Sequence, residues 1–235
     1  MGVRISVVVP AFNEEKLLAE TLACIRSAMQ PLDWDAELIV CDNNSTDRTA
    51  EIARAAGARV VFEPVNQIAR ARNAGAAQAS GDWLLFVDAD CLPTKELFLN
   101  LGEAIATGNY IGGGSTVEMA TDDRFAHLAV WMWNRVSRTT RWAAGAFIFC
   151  RAAAFREIGG FSEQLYASEE IDFSRRLKRL GKMLILHRHP LRTSGRKARL
   201  YSWRELSYFL FRIIVTGGSA LRRKEECFAW YDGRR

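Results

Sequence analysis

Short apolar runs alternate with amphipathic segments along the N-terminal part of the chain. The runs have the length of strands, and the segments between them repeat their apolar positions with a helical period. Such alternation with short connections predicts a mainly parallel sheet with helices on both faces. We predict strands over residues 5–10, 37–42, 59–63 and 83–87, and helices over residues 14–28, 46–56 and 68–79.

The rest of the chain continues as one α/β domain, with no internal repeat and no linker. IGGGST at residues 111–116 is interpreted as a strand and turn, and because it lacks the G-x-G-x-x-G spacing it is not interpreted as a phosphate loop. No Gly-rich fingerprint follows the first strand, which disfavours a nicotinamide oxidoreductase. We predict further helices after Thr94, within 122–141, over 152–158, after Ser168 and over 202–223, strands over 146–150 and 183–186, and a basic loop over 187–197.

The run WLLFVDADCLPT, from Trp83 to Thr94, ends in two carboxylates. In extended chain Asp88 and Asp90 point to the same side, where they repel each other unless a cation joins them. Carboxylate oxygens suit Mg²⁺ or Mn²⁺, so this pair is a candidate metal site. The alternative is that the aspartates cap the helix that follows Pro93.

Polar residues also follow two other predicted strands, in PAFNE (10–14) and DNNSTD (42–47). The carboxyl ends of parallel strands lie at one edge of an open sheet, where such folds bind their ligands. We therefore expect these two segments to converge with DAD (88–90) on one crevice.

Charge is distributed unevenly along the chain. Residues 175–235 hold 17 Lys and Arg against 4 Asp and Glu, whereas the remaining residues hold 15 against 23. A basic tail of this kind is typical of contact with phosphates, an anionic membrane or nucleic acid, and a solvated basic face is the other interpretation.

Three further observations bear on location. No charged leader followed by an apolar segment precedes the first strand, and the five cysteines are scattered, so we expect a cytoplasmic protein with reduced thiols. YFLFRIIV at 208–215 is too short to cross a bilayer and contains Arg212. It fits a core helix, a dimer contact, or peripheral contact with the inner face of a membrane.

Four segments in order carry a family resemblance: VVVPAFNEE (7–15), VCDNNSTDRT (40–49), ARNAGAAQASGDWLLFVDADC (71–91) and GGFSEQLYASEEIDFSRR (159–176). Together they resemble the family 2 glycosyltransferases, inverting enzymes of GT-A fold that use nucleotide-sugar donors. The resemblance spans about residues 3–185. It implies a Rossmann-like twisted sheet in a single domain, with a nucleotide-binding half (1–92), an acceptor and catalytic half (93–190), and a basic loop with a helical tail (191–235).

The resemblance also implies roles for residues at the strand ends. Asp90, with Asp88, would hold Mn²⁺ or Mg²⁺ against the diphosphate. The residues implied around the nucleotide are Pro10, Phe12, Glu14, Asp42, Arg72 and Asp88. Each of two of these residues has an alternative to nucleotide binding when it is taken alone. Phe12 would then pack in the core, and Arg72 would lie on the surface of a helix.

An inverting transfer needs one carboxylate to take the proton of the acceptor hydroxyl. In ASEEID, Ser168 is a candidate N-cap, and Glu170 begins an apolar helix face, where partial burial would raise its pKa. The alternative is that these acids only complement the helix dipole. The resemblance implies that Glu170 is the base, with Glu169 and Asp172 as supporting or acceptor-binding groups. The family has Asp at this position, and because Glu is one methylene longer, either the acceptor lies farther back or Glu169 is the base.

The remaining predictions concern Gly145 and the basic tail. Gly145 matches a glycine of the family, and the resemblance implies that its missing side chain lets the backbone approach the sugar. His187 or His189 is a candidate further metal ligand, and Arg196 and Lys197 are candidates for a loop over the diphosphate. The implied donor is a UDP- or GDP-sugar and the acceptor a glycan, lipid-linked or small-molecule hydroxyl, with no nucleic-acid partner. The alternatives are polyprenyl-phosphate glycosyl transfer at a membrane and a non-catalytic nucleotide-binding module.

Overall fold

The structure is a computed structural model that describes residues 2–194, 205, 208, 211–213 and 215–231. The predicted alternation of strands and helices in the N-terminal half is confirmed, with ends that differ by a few residues. In order, the elements are β1 (Val3–Ala11), α1 (Leu18–Met29), β2 (Trp34–Asp42), α2 (Thr49–Ala55), β3 (Arg59–Phe62), α3 (Ile68–Ala77) and β4 (Trp83–Val87).

Between residues 88 and 194, all of which are described, the chain adds four strands and four helices. They are β5 (Cys91–Leu92), α4 (Lys95–Ala106), β6 (Gly112–Met119), α5 (Arg124–Thr140), β7 (Phe147–Arg151), α6 (Ala152–Glu157), α7 (Glu169–Leu177) and β8 (Met183–Thr193). Near the C-terminus the described residues include two 3₁₀ turns, Ser219–Arg222 and Lys224–Glu226, and the single helical turn α8 (Phe228–Tyr231).

All eight of these strands form one sheet, in the order β3-β2-β1-β4-β7-β6-β8-β5. β1 pairs in parallel with β2 and β4, β2 with β3, and β6 with β8. β7 runs antiparallel between β4 and β6, and the short β5 runs antiparallel to β8. The prediction of a mainly parallel α/β sheet in one domain is thus confirmed, whereas the two-residue strand β5 was not predicted.

The IGGGST segment is a strand because its glycines let three backbones approach closely. A side chain on Gly113 would collide with the backbone of Leu184 in β8, and one on Gly112 with the carbonyl of Phe149 in β7. The glycines therefore serve sheet packing rather than a phosphate loop.

The core lies on both faces of β4, whose five residues are all buried. On one face a cluster of phenylalanines joins the sheet to α7. Phe161 and Phe173 stack with centroids 4.3 Å apart, and Phe86 meets Phe161 edge-on at 5.1 Å. These contacts fix the start of α7 relative to the end of β4.

Two predictions about the C-terminal half are wrong. Residues 187–193 are not a loop, because β8 continues through them and pairs with both β6 and β5. Ser168 precedes α7 as predicted, but its backbone is left-handed, with a φ of 60°, and its side chain makes no capping hydrogen bond.

Of the predicted helix over residues 202–223, residues 202–204, 206, 207, 209, 210 and 214 lie outside the described residues. The described residues from 205 to 215 are helical, but the chain then turns at 216–218 and enters the 3₁₀ turn Ser219–Arg222, so the predicted C-terminal end is wrong. All five cysteines are free thiols. Within the described part of the chain, no helix is both long and apolar enough to span a membrane.

Candidate active site

The segments that follow β1 and β2 are bound to each other by hydrogen bonds. The backbone N–H of Asn13 donates to Ser45 Oγ at 3.0 Å, and the N–H of Thr46 donates to Asn13 Oδ1 at 2.8 Å. The N–H of Glu14 donates to Thr49 Oγ1 at 2.8 Å. Polar side chains from both segments make these hydrogen bonds. The predicted convergence of these two strand ends is therefore present in the fold.

The predicted nucleotide residues of these segments lie along that junction. Pro10 pairs with Cys41 across β1 and β2, and Asp42 ends β2 as a buried residue. Asp42 Oδ1 accepts from the backbone N–H of Ser45 at 3.0 Å, which orients the carboxylate. Glu14 is buried, and Phe12 is half-buried, so Phe12 is not a pure core residue.

The chain turns at the end of β4 instead of continuing as an extended strand. The N–H of Cys91 donates to the carbonyl of Asp88 at 3.3 Å, so the expectation that both aspartates project from one face of extended chain is wrong. Capping by these aspartates is also excluded, because Thr94 Oγ1 accepts from the N–H of Leu97 and caps α4. Asp90 Oδ2 instead accepts from Ser194 Oγ at 2.7 Å.

Arg72 connects the end of β4 to the start of α7. Its Nη2 donates to Asp88 Oδ1 at 3.0 Å and to the carbonyl of Gly145 at 2.9 Å, and its Nη1 donates to Glu169 Oε1 at 2.6 Å. Its side chain is 1% exposed, against 5% for Glu169 and 27% for Asp88. A helix-surface place for Arg72 is therefore excluded.

Polar contacts of α3 hold Arg72 in this place. Asn73 Nδ2 donates to the carbonyl of Phe161 at 2.9 Å, and the N–H of Phe161 donates back to Asn73 Oδ1 at 2.9 Å. Gln67 Nε2 donates to the carbonyls of Glu163 and Leu165 at 2.8 and 3.0 Å. These bonds fasten α3 to the segment before α7, so one arginine reaches both sides of the crevice.

The electrostatics of the cluster keep Arg72 charged despite its burial. Burial alone lowers the pKa of a guanidinium, but the carboxylates of Asp88 and Glu169 outweigh it, and the pKa of Arg72 is raised. Because this buried cation is compensated by its two carboxylate partners, loss of one of them would leave a buried charge short of a partner, which is strongly destabilising.

Glu170 lies beside Gly145, close to the point where Arg72 also approaches this glycine. A Cβ built on Gly145 would be 3.2 Å from Arg72 Nη2 and 3.8 Å from the carboxyl carbon of Glu170. Glu170 is only half-buried, in contrast to the neighbouring Glu169. The structure thus brings together Arg72, Asp88, Gly145, Glu169 and Glu170.

The third acid of α7 lies in a different environment. Asp172 Oδ2 accepts from Arg176 Nε at 2.8 Å, and Arg176 Nη1 donates to the carbonyl of Ile158 at 2.6 Å. Asp172 and Arg176 line a surface cavity of about 350 Å³ together with Ser162, Gln164, Leu165 and Arg222. The cluster around Arg72 does not include Asp172.

The two histidines lie apart from the carboxylates of β4. The pairing of β8 with β6 jumps from Leu186 opposite Ser115 to Leu191 opposite Val117, so His187 and His189 fall in a bulge. His187 lines a groove against α4, whereas Asp90 is bonded to Ser194. The predicted role of His187 and His189 as metal ligands is therefore not supported by their position.

Arg196 and Lys197, the predicted diphosphate loop, lie outside the described residues. Among the described residues, no group of three or more His, Cys, Asp and Glu side chains is arranged to hold a metal ion. The carboxylates of Asp88 and Asp90 are both partly exposed at the strand end, and hard oxygen donors of this kind fit Mn²⁺ or Mg²⁺ with water and phosphate oxygens as the other ligands.

Tyr231 lies close to the cluster around Arg72, and it was not among the residues predicted from the sequence. Its hydroxyl accepts from the N–H of Ile68, at the start of α3, at 3.4 Å. Burial, and then the charge of Glu169, raise the pKa of Tyr231, so it stays neutral. No pattern in the sequence links a C-terminal tyrosine to a helix 163 residues earlier.

Comparisons with known proteins agree with this architecture. The family model described as "Glycosyl transferase family 2" matches residues 6–159. Glycosyltransferase AglE of Haloferax volcanii is 27% identical over 214 residues, which are 81% of this chain and 68% of AglE.

Two solved structures share the fold. The mannosyltransferase PcManGT from Pyrobaculum calidifontis, in complex with GDP-Man and Mn²⁺, superposes with a TM-score of 0.70 at 19% identity, over 94% of this chain and 63% of that one. S. aureus TarS in complex with UDP-GlcNAc superposes with a TM-score of 0.66 at 21% identity, over 91% and 66%. These are GT-A glycosyltransferases, which confirms the predicted fold class. Because the family model matches about two thirds of its length, the chain belongs to glycosyl transferase family 2.

Proposed function

We propose that the chain is an inverting glycosyltransferase that moves a sugar from a nucleoside diphosphate to an acceptor hydroxyl with the help of a divalent metal. The observation that carries this proposal is the buried Arg72, which binds Asp88 on the nucleotide side and Glu169 beside the candidate base. One residue thereby holds donor-side and acceptor-side groups in a single crevice.

The donor end of the crevice is assigned to the junction of β1 and β2. Asp42 is held by the N–H of Ser45 and would accept a hydrogen bond from the base, and Phe12, half-buried at the same junction, would stack on it. Pro10 and Glu14 shape the same wall. PcManGT was solved with GDP-Man and TarS with UDP-GlcNAc, which supports a nucleotide-sugar donor. Guanine and uracil are therefore the two nucleobases to be tested.

Asp88 and Asp90 are the residues that would hold Mn²⁺ or Mg²⁺ at the diphosphate. Such an ion, when bound, offsets the charge that develops on a departing diphosphate. Arg72 orients Asp88 through its Nη2 and Ser194 orients Asp90 through its hydroxyl, so both carboxylates are positioned before ligand arrives.

Glu170 is assigned as the general base. Its half-buried carboxyl beside Gly145 would take the proton of the acceptor hydroxyl while that oxygen bonds to the anomeric carbon and the bond to the diphosphate oxygen breaks. The nucleoside diphosphate leaves with the electron pair, and the configuration inverts. Glu169 is assigned a positioning role, because its carboxylate is committed to Arg72 at 2.6 Å.

The test is release of nucleoside diphosphate from a panel of UDP- and GDP-sugars, with Mn²⁺ and with cell extract as the source of acceptor. Release that requires both the extract and Glu170 supports the proposal. Donor binding without release, unchanged in Glu170→Gln, would instead identify a non-catalytic nucleotide-binding module.

A further inference from the structure

Helix α5 presents its large apolar side chains to solvent. Phe125, Leu128, Trp131, Met132 and Val136 are 67%, 53%, 58%, 55% and 41% exposed, and within this 17-residue helix only Ser137 is buried. A surface helix normally turns its apolar stripe to the core, so this arrangement is reversed.

Polar contacts hold the opposite face of α5 on the protein. Asn134 Oδ1 accepts from the N–H of Val117 in β6 at 3.0 Å, and Asn134 Nδ2 donates to the carbonyl of Val117 at 2.9 Å. Ser137 Oγ donates to the carbonyl of Trp142 at 2.6 Å. The helix is therefore docked through an asparagine and a serine, and the outward position of its apolar face is built into the fold.

Asp123 caps the N-terminus of α5 by accepting from the N–H of Phe125, but within the helix the charges all have one sign. Residues 124–141 contain four arginines, Arg124, Arg135, Arg138 and Arg141, and no Asp or Glu. Lys178 of the α7 C-terminus donates to the carbonyl of Thr140 at 2.7 Å, and Arg175 lies 4.7 Å from the ring centre of Trp142. Cations thus surround the C-terminal end of α5, although residues 1–174 as a whole are acidic.

We propose that α5 lies in the interface of an anionic lipid membrane, with its apolar face in the acyl boundary and its arginines on the lipid phosphates. An apolar face with Trp and Phe and a basic rim is the composition of interfacial helices. A second copy of this chain fits poorly, because a two-fold contact through α5 would bring the arginines of one helix against those of the other.

The location of α5 connects this surface to the crevice. Arg141 ends the helix in a left-handed conformation, and the N–H of Ala143 donates to Ser174 Oγ of α7 at 3.0 Å. Gly145, whose carbonyl binds Arg72, follows two residues later. A docked α5 therefore holds the proposed acceptor side of the crevice close to the lipid surface.

The experiment is flotation of the full chain with vesicles of phosphatidylcholine alone and of phosphatidylcholine and phosphatidylglycerol in equal amounts. The test variant is Phe125→Ser/Leu128→Ser/Met132→Ser, which alters only exposed side chains. The matched control is Phe62→Ser/Val65→Ser/Leu99→Ser, which removes exposed apolar groups elsewhere. Both variants keep the basic C-terminal stretch, so any contact made by that stretch is equal in the two.

Wild type and control are expected to float with the phosphatidylglycerol vesicles and not with phosphatidylcholine alone. The α5 variant is expected to partition at least about tenfold more weakly. Quenching of tryptophan fluorescence by brominated lipid should fall in Trp131→Phe. Equal flotation of the α5 variant and wild type, or no flotation of wild type, would overturn the proposal. A wild-type dimer that the α5 variant converts to monomer would assign the face to a second copy and would also overturn it. None of these readouts depends on glycosyl transfer.

Discussion

Arg72 and Glu169 form a buried ion pair, with 2.6 Å between Nη1 and Oε1, although 97 residues separate them in the chain. Because Arg72 also binds Asp88, this pair ties the first turn of α7 to the end of β4. The neighbouring Glu170 is half-buried and lies beside Gly145, which the same guanidinium also approaches. Two adjacent glutamates therefore have different expected roles, one in stability and one in chemistry.

Glu169→Gln should lower the free energy of unfolding by about 3 kcal/mol, because it leaves a buried guanidinium short of one charged partner. Urea unfolding followed by circular dichroism measures this. Glu157→Gln, at an exposed glutamate of α6, is the matched control and should unfold like wild type. A stability loss as large in the control would show that the pair does not stabilise the fold.

Glu170→Gln should lower the rate of sugar transfer by about 10²–10⁴-fold, since the amide cannot accept the proton of the acceptor hydroxyl. Donor binding, measured by calorimetry, should change little, because the nucleotide residues lie on other elements. Unchanged turnover in this variant would remove Glu170 from the mechanism.

More of the fold than of the candidate site could be predicted from the sequence. The apolar runs of β1, β2 and β4 are continuous because both faces of those strands are buried, and such runs are visible without a structure. β5 and the second half of β8 were missed because two-residue pairing and a bulged basic strand have no local signature.

Within the site, the polar strand ends were visible in sequence, but the partner of each carboxylate was not. Arg72 reads as an ordinary helical arginine until α3 is fastened to the segment before α7 by Asn73 and Gln67. The turn at Asp88 and the contact of Tyr231 with Ile68 depend likewise on tertiary packing.

Asp47 should make stability depend on pH in acid. Burial alone would raise the pKa of Asp47, but hydrogen bonds from the hydroxyl of Thr49 and from the backbone N–H groups of Glu15 and Thr49 outweigh it, and the pKa is lowered. A lowered pKa in the folded state adds stability that is present above the pKa of the unfolded chain and is lost as pH falls through the folded value.

Asp47→Asn should therefore weaken the rise of the unfolding free energy between strongly acidic and neutral pH. Urea unfolding over that range gives the slope directly. Asp33→Asn, at an exposed carboxylate, controls for the removal of one charge. A wild-type slope in Asp47→Asn would contradict the role given to these hydrogen bonds.

Metal-dependent nucleotide binding tests the central claim most directly, through calorimetry of UDP and GDP with and without Mn²⁺. The proposed site predicts that wild type binds at least one of these nucleotides more tightly with Mn²⁺, and that Asp90→Asn loses the gain. Asp82→Asn, at the opposite end of β4, is the matched control and should keep it. Nucleotide binding that is equally tight with and without Mn²⁺ in wild type, or an undiminished gain in Asp90→Asn, would contradict the account.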